Sequence, residues 1–295
     1  MKKILLILIC LFFSHISRAE LITEISDKSL WIKSANTEEI QRVFKMYNYD
    51  NYSKTRIKIP RIFMNKLPSD WKDIKPSDEK NKTFIRILIP LILKVNENIL
   101  EERAEIEKIN VKFRAGEKLS ENELNLIEEK AKKYDAFTRF KGDERTSTLL
   151  KKLLERVDYL PPSIMISSAA IYTDWGMSRL ALEANSLYQE EVWYQDTGIK
   201  PKDDPNANYR YKVFNSLEES ISSHALKINS HVNYKFMREH RKLSRKMNRP
   251  FFGKIVASAM LNDSNLKNIA GIIDYTFSFY KLQKTDYFPT FEDIR

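Results

Sequence analysis

Apolar residues recur at helical spacing along much of this chain, and one such stretch is long. Over residues 78–114 they return every three or four positions, with Pro90 inside the pattern as an expected kink. Ala115-Gly116 ends this stretch, and Ser120-Glu121-Asn122-Glu123 is a capping box that opens a second helix running to Tyr134. The two helices together predict a helical hairpin.

The stretches on either side of this hairpin differ in pattern. Residues 20–77 lack a sustained period, so we expect them to be irregular except for one short helix that begins near Asn36. A third helix is expected over about 146–157. The pair Pro161-Pro162 then marks both a boundary and the start of another helix, because proline is tolerated in a first turn.

The chain changes character after this boundary. Residues 187–214 carry several tyrosines, a tryptophan and a turn-rich run, which predicts a small β-hairpin-like lobe. Helices follow from a capping box at Ser216 to about Tyr280. The predicted fold class is therefore mainly α (α+β). The predicted units are a leader over 1–19, a helical N-terminal extension over 20–157, a main domain over 158–285 and a C-terminal tail over 286–295.

The leader has the pattern of a secretory signal peptide. Two lysines precede an apolar run over 4–13, and Ser17-Arg18-Ala19 has small residues at the two positions that a signal peptidase reads. We expect cleavage after Ala19 and a periplasmic or secreted protein, with an uncleaved anchor as the alternative. The run is too short for a mature transmembrane helix, and Cys10 lacks the small preceding residue of a lipoprotein cysteine.

Charge and cysteine content narrow the class of protein further. The chain has 50 basic and 40 acidic residues, a net charge of +10, and 42% of its residues are hydrophobic, enough for a sizeable core. Residues 1–19 hold three basic residues and the only cysteine, so the remainder carries +7 and no thiol. A disulfide-free exported chain fits a bacterial periplasm. We expect anionic envelope partners there and no nucleic acid; the alternative is that the charge serves solubility alone.

One segment carries a resemblance to a known family. Residues 161–179 contain a proline-led helix, then Ala169-Ala170, Trp175-Gly176 and Ser178-Arg179. This order resembles the bacterial glucosaminidase domain, specifically its Bax-type branch. Further segments that resemble this branch, in the right order, are 88–92, 96–103, 214–221 and 228–234. The likeness covers most of residues 56–280.

The resemblance implies a lysozyme-like helical domain with a small β lobe, in a family that cleaves the β-1,4 bond between N-acetylglucosamine and N-acetylmuramic acid. A glutamate near the end of the proline-led helix is the general acid of that family, and its position falls on Tyr172. A phenol with a pKa near 10 is a weak proton donor at neutral pH. Asp174 lies on roughly the opposite helix face and cannot replace it. We therefore expect impaired catalysis.

Other residues could rebuild a catalytic site. His224 and Asp263 stand where the family has two tyrosines that line the cleft, and they could form a new acid/base pair. Glu183, Glu190 and Glu191 lie near the start of the small lobe, where one of them could present a carboxylate across the groove.

Aromatic residues of the main domain could stack against sugar rings. Candidates for this platform are Trp175, Tyr188, Trp193, Tyr209 and Tyr211. The alternative is that they fill the core, which is favoured for Trp175 at a helix end. The substrate-binding candidates are thus Tyr172, Trp175, Tyr188, Trp193, Tyr211 and His224. The histidines are spaced too widely for a metal motif, so we expect no metal and no other cofactor.

A basic run late in the chain could bind an anionic partner. Its members recur at three- and four-residue steps and are Lys235, Arg238, Arg241, Lys242, Arg245, Lys246 and Arg249. This pattern predicts a helix face that binds anionic glycan or membrane, or one that is simply solvated.

Three functions remain open from sequence. The first is an exported protein of glucosaminidase fold that engages peptidoglycan or a related envelope glycan with impaired catalysis. The second is an active peptidoglycan endo-β-N-acetylglucosaminidase that uses a relocated carboxylate. The third is an envelope protein whose partner is another protein, bound by the helices over 78–157.

Overall fold

The computed structural model describes residues 21–26, 28–49, 58–194, 197–254, 257, 267–286 and 290–292. The predicted leader, its cleavage site and Asp263 lie outside the described residues. Within these ranges, every helix is too short or too polar to cross a bilayer.

Helices make up most of the described architecture. They are α1 (Thr37–Met46), α2 (Asp78–Arg114), α3 (Glu121–Lys133), α4 (Gly142–Arg156), α5 (Pro162–Thr173), α6 (Arg179–Ala184), α7 (Leu217–Ser230), α8 (Lys235–Lys246) and α9 (Lys267–Phe279). The strands are β1 (Ile22–Ser26), β2 (Ser29–Ser34), β3 (Lys58–Pro60), β4 (Ile62–Met64), β5 (Glu191–Trp193), β6 (Tyr209–Tyr211) and β7 (Thr290–Glu292). The prediction of a mainly helical fold with a small β lobe is confirmed.

The N-terminal part holds more regular structure than its pattern predicts. Strands β1 and β2 pair antiparallel, β2 pairs with β4 in parallel, and β3 pairs with β7 in parallel. The expectation of irregular chain over 20–77 is therefore wrong for these segments. All three residues of β4 are buried, so this strand lacks the alternation that marks a half-exposed strand. The short helix is confirmed as α1, with a capping box between Asn36 and Glu39.

The predicted helical hairpin is present. Helix α2 is 37 residues long and continues through Pro90, and α3 begins with the capping box of Ser120 and Glu123. The two helices contact each other at both ends of α3. Lys112 lies 2.6 Å from Glu123 near one end, and the Tyr134 hydroxyl donates to Glu102 at 2.6 Å near the other.

Helix α5 lies at the centre of the main domain. Every residue over 162–170 is buried, and α5 packs against α2 and α9. Its first turn is held by Asp286, which accepts hydrogen bonds from the Ser163 amide at 2.9 Å and the Ser163 hydroxyl at 2.6 Å. Burial raises the pKa of Asp286 to about 6, although these hydrogen bonds favour its ionised form. Packing in the core and the contacts of Asp286 thus fix the orientation of α5 and the position of its last turn.

The basic run that was predicted to form one helix face contains both buried and exposed residues in the structure. Arg238 and Arg241 are 2% and 1% exposed, so the expectation that they present an accessible basic face is wrong. Arg241 donates to the carbonyls of Glu155 and Arg156 at the end of α4, and Arg238 donates to the carbonyl of Ile228 near the end of α7. These guanidiniums pair with the negative ends of helices, which accounts for their burial.

Asp158 is the buried carboxylate at the centre of this region. Its side chain is 3% exposed, and Arg103, Arg241 and Arg245 surround it, with Arg245 donating to both of its oxygens. Burial disfavours ionisation of Asp158, but the three arginines outweigh it and hold the pKa of the carboxyl below its usual range. Asp158 therefore joins α2 and α8 at the start of the main domain.

Candidate functional site

The last turn of α5 ends in an unusual backbone. Asp174, Trp175 and Gly176 follow the helix with φ of 47°, 56° and 84°. The Thr173 hydroxyl supports this turn because it accepts a hydrogen bond from the Gly176 amide at 2.8 Å and donates to the Ala169 carbonyl at 2.6 Å. Left-handed conformations are costly outside glycine, so the surrounding structure must hold Asp174 and Trp175 in place.

Residues of the N-terminal part supply that support. The fully buried Trp71 donates from its indole Nε1 to the Trp175 carbonyl at 3.0 Å. A Cβ at Gly176 would lie 2.8 Å from Trp71 and from Leu67, and 3.0 Å from Phe84, so only glycine fits there. The turn that follows the candidate catalytic position is therefore packed directly on the extension.

Tyr172 occupies the final turn of α5. Its side chain is half-buried against the core, and its backbone carbonyl accepts a hydrogen bond from the Gln189 side chain. Gln189 has a φ of 49° and lies two residues before β5. This contact places the start of the β lobe beside the position where the resemblance expects a general acid.

The β lobe presents an aromatic face. Strands β5 and β6 pair antiparallel, with Glu191 opposite Tyr211 and Trp193 opposite Tyr209. Directly opposed residues share one face of a sheet, so these four side chains lie on the same side. The rings of Trp193 and Tyr209 lie 5.1 Å apart, and those of Tyr209 and Tyr211 lie 5.6 Å apart. Burial, together with a hydrogen bond to Tyr209, raises the pKa of Tyr211 to about 12.

Exposure separates the surface aromatics from those in the core. Trp193 is 53% exposed and the adjoining Tyr194 is 84% exposed. Sequence reasoning did not single out Tyr194, although its place next to Trp193 in a tyrosine-rich lobe was a signal for it. Trp175 packs between Phe84 and Tyr280, with ring centroids 6.0 and 5.0 Å away, as the core interpretation of this residue predicts.

Tyr188 and His224 lie beneath the surface rather than in an open cleft. Both are 4% exposed, and their rings stack 3.9 Å apart with an interplanar angle of 4°. Their burial lends no support to the prediction that they contact a sugar, which stays a prediction. Burial, with a smaller contribution from Lys227, lowers the pKa of His224 to about 3. His224 is therefore neutral at physiological pH and cannot donate a proton as imidazolium.

Glu190 is the buried carboxylate of this part of the fold. It is 4% exposed and accepts from the Ser223 hydroxyl at 2.8 Å and the Lys212 ammonium at 2.9 Å. Its other oxygen lies 3.9 Å from Nδ1 of His224. This cluster joins the lobe to α7, and the Lys212 and Ser223 side chains both bind the same oxygen of the carboxylate, Oε2.

The other two glutamates predicted as surrogate acids lie in different surroundings. Glu183 is exposed on α6 and forms an ion pair with Arg179, 3.8 Å away. Glu191 is exposed and shares the aromatic face with Tyr211 and Trp193. Among the predicted surrogate carboxylates in the described ranges, Glu191 alone lies on the aromatic face.

The opposite side of the lobe borders a cavity of about 660 Å³. Val192 and Lys212 line it from the lobe, Ser223 from α7, and Glu102 and Tyr134 from the helical hairpin. The cavity lies away from the aromatic face because Val192 points to the other side of β5 from Trp193. Tyr172 is absent from its lining.

Comparison with known proteins finds similarity to one family. The family model described as mannosyl-glycoprotein endo-β-N-acetylglucosaminidase, or glucosaminidase, matches residues 147–287. Protein bax of Escherichia coli (strain K12) is 26% identical over 214 residues, which cover 72% of this chain and 73% of that protein. Residues 147–287 thus match the glucosaminidase family, and the wider chain is similar to a Bax-type protein. The crystal structure of the catalytic domain of the autolysin Auto from Listeria monocytogenes is also similar, with 16% identity and a TM-score of 0.35 over 72% of this chain and 90% of that one.

The residues that match the glucosaminidase model contain α5, the turn after it and the β lobe. This similarity supports a protein of peptidoglycan-related glycan hydrolase fold. Tyr172 lies in this domain at the position where the resemblance places the general acid, and the described carboxylates that follow it most closely along the chain are Asp174, Glu183, Glu190 and Glu191. The chemistry of the domain therefore depends on whether any of these can act in place of a glutamate at 172.

Proposed function

We propose that this chain binds a peptidoglycan-type glycan at the aromatic face of its β lobe and does not cleave it by the family mechanism. The observation that carries the proposal is the aromatic face of Trp193, Tyr209 and Tyr211, in which Trp193 is 53% exposed and both tyrosines are partly exposed. Aromatic rings stack on the apolar faces of sugars, and their few rotatable bonds make this binding cheap in conformational entropy.

Loss of the family reaction follows from the chemistry of glycoside cleavage. The leaving oxygen must receive a proton from a carboxylic acid held near it, and a phenol is a poor donor at neutral pH. Glu190 is held by Lys212 and Ser223, and Glu183 pairs with Arg179. These contacts occupy both carboxylates within the protein, which favours a binding protein over a hydrolase.

A hydrolase with a relocated carboxylate is the second candidate function. Glu191 is the residue that favours it, because this exposed carboxylate lies on the aromatic face, opposite Tyr211. In that case Glu191 would act on a sugar bound by the neighbouring rings. The two functions differ in whether the bound glycan is cut.

We further propose that the protein works in the bacterial cell envelope after export. The sequence of residues 1–19 supports export, and the remaining net charge of +7 suits a polymer that carries carboxylates. The substrate class proposed from the family is peptidoglycan, whose muramic acid and stem peptides supply such groups.

Removal of the aromatic face is expected to weaken glycan binding. The double variant Trp193→Ala, Tyr209→Ala deletes two rings 5.1 Å apart, and truncation of a contact aromatic commonly costs about 1–2 kcal/mol. We expect the dissociation constant for purified sacculi, measured by cosedimentation, to rise at least about tenfold.

A matched control lies on α9. Tyr275 and Phe279 are an exposed stacked pair, 5.4 Å apart, outside the lobe. Their double alanine variant should bind sacculi as the unmodified protein does. Equal affinity of the lobe variant and the unmodified protein would contradict the proposed binding face.

A further inference from the structure

Helix α8 exposes an apolar stripe. Phe236, Leu243 and Met247 are each about half exposed, at 50%, 51% and 48%. Their spacing of seven and four residues places them on one face, the last just beyond the end of the helix. His240 lies on the same face, with its ring 4.2 Å from that of Phe236. Exposed apolar residues in a row, unlike scattered ones, indicate a contact surface.

This stripe is not the face that packs on the protein. Met237, Arg238 and Arg241 are the buried residues of α8, and the helix packs against α4. The buried face therefore satisfies the packing of α8 without the stripe. Phe236 projects from a different side of the helix than Arg241, so its side chain points away from the buried face. The stripe is free to contact a partner without disturbing the fold.

Cations line one side of the stripe. Lys235, Lys242, Lys246 and Arg249 are exposed and follow one another at three-, four- and seven-residue steps. Glu239 is the acidic residue within α8, and it lies 3.8 Å from Lys235. Arg245 is paired with Asp158 and does not belong to this ridge. The ridge leaves a net positive charge beside the apolar stripe.

We propose that α8 lies on the surface of an anionic lipid bilayer, with the stripe in the boundary between headgroups and acyl chains and the ridge on lipid phosphates. A basic helix with aromatic and aliphatic residues on a separate face is the pattern of an interfacial helix. The charge of the ridge favours a bilayer over an uncharged protein surface. This surface is independent of the glycan-binding face on the β lobe, so either can be disproved alone.

Vesicle binding tests this surface. The chain over residues 20–295 keeps all the described structure and omits the apolar run over 4–13, which has lipid affinity of its own. We expect it to cosediment with vesicles of equimolar phosphatidylglycerol and phosphatidylcholine, and much less with phosphatidylcholine alone. Phe236→Ser, Leu243→Ser, Met247→Ser should lower the partition coefficient at least about tenfold. Lys242→Gln, Lys246→Gln should lower it for the anionic vesicles and reduce its dependence on salt.

A matched control uses exposed apolar residues elsewhere in the fold. Val111, Leu124 and Phe140 are 67%, 41% and 48% exposed in the region of the helical hairpin, and their triple serine variant should bind vesicles as the unmodified chain does. Equal thermal unfolding midpoints of both triple variants establish that each is folded. Absence of binding to anionic vesicles overturns the proposal, as does equal binding by the α8 triple variant. If the stripe instead holds a second copy of the chain, sedimentation velocity will show a dimer that the α8 variant loses, which also overturns it.

Discussion

Replacement of Asp158 by asparagine is expected to lower the free energy of unfolding by about 3–5 kcal/mol, because the change leaves buried guanidiniums without their carboxylate. The side chain of Asp158 is 3% exposed and that of Arg241 is 1% exposed. Neither charged side chain can reach solvent and be hydrated when its partner is removed. Asparagine keeps the shape of the residue, so the loss reports charge rather than packing. Urea unfolding at neutral pH measures it.

The effect of Asp158 depends on pH in a defined direction. Its folded pKa is lowered, so its contribution to stability is complete above the unfolded value of about 3.9 and is lost as the pH falls through the folded value. The difference between the unmodified protein and Asp158→Asn should therefore be large at pH 7 and shrink below about pH 4. Asp78→Asn, which breaks an exposed pair with Lys82, should cost less than about 1 kcal/mol. A similar loss in both variants would contradict the buried role of Asp158.

Replacement of Trp71 by alanine is expected to cost about 3–5 kcal/mol. The indole is fully buried, contacts Phe84 and bonds the carbonyl of Trp175. The cost should exceed that of an ordinary core truncation because the left-handed turn over 174–176 loses a support at the same time. The measurement is again urea unfolding.

A conservative variant separates the two roles of Trp71. Trp71→Phe keeps a buried ring but removes the Nε1 donor, which leaves the Trp175 carbonyl unpaired at a cost of about 1–3 kcal/mol. If the alanine and phenylalanine variants lose the same stability, the ring itself contributes nothing and the cavity argument is wrong. A loss below about 1 kcal/mol in the alanine variant would contradict the claim that the extension supports the turn.

Local sequence patterns correctly predicted those helices whose start is marked by residues close together in the chain. The capping boxes at Asn36 and Ser120 marked helix starts correctly because a cap involves residues only three positions apart. Strands β3 and β4 were missed because their partners, β7 and β2, are distant in sequence. Three-residue strands carry too little pattern to be found without those partners.

Burial was the other property that local pattern did not predict. Arg238 and Arg241 follow the same spacing as the exposed lysines, and only the position of the α4 and α7 ends shows that they are internal. For the candidate site, the family resemblance aligned the general acid with position 172. The tyrosines and turn residues over 187–214 predicted the β lobe. Which aromatics of the lobe reach solvent depends on the alternation of β5 and β6, which requires their register.

Release of reducing ends from purified sacculi tests the central claim most directly. The unmodified protein over residues 20–295 should cosediment with sacculi and release none above the buffer level, whereas Tyr172→Glu should release them, since it restores a carboxylic acid at the end of α5. Cleavage by the unmodified protein would contradict the claim, and loss of that cleavage in Glu191→Gln would assign the acid to the β lobe. A Tyr172→Glu variant that binds but remains silent would show that more than the acid is missing.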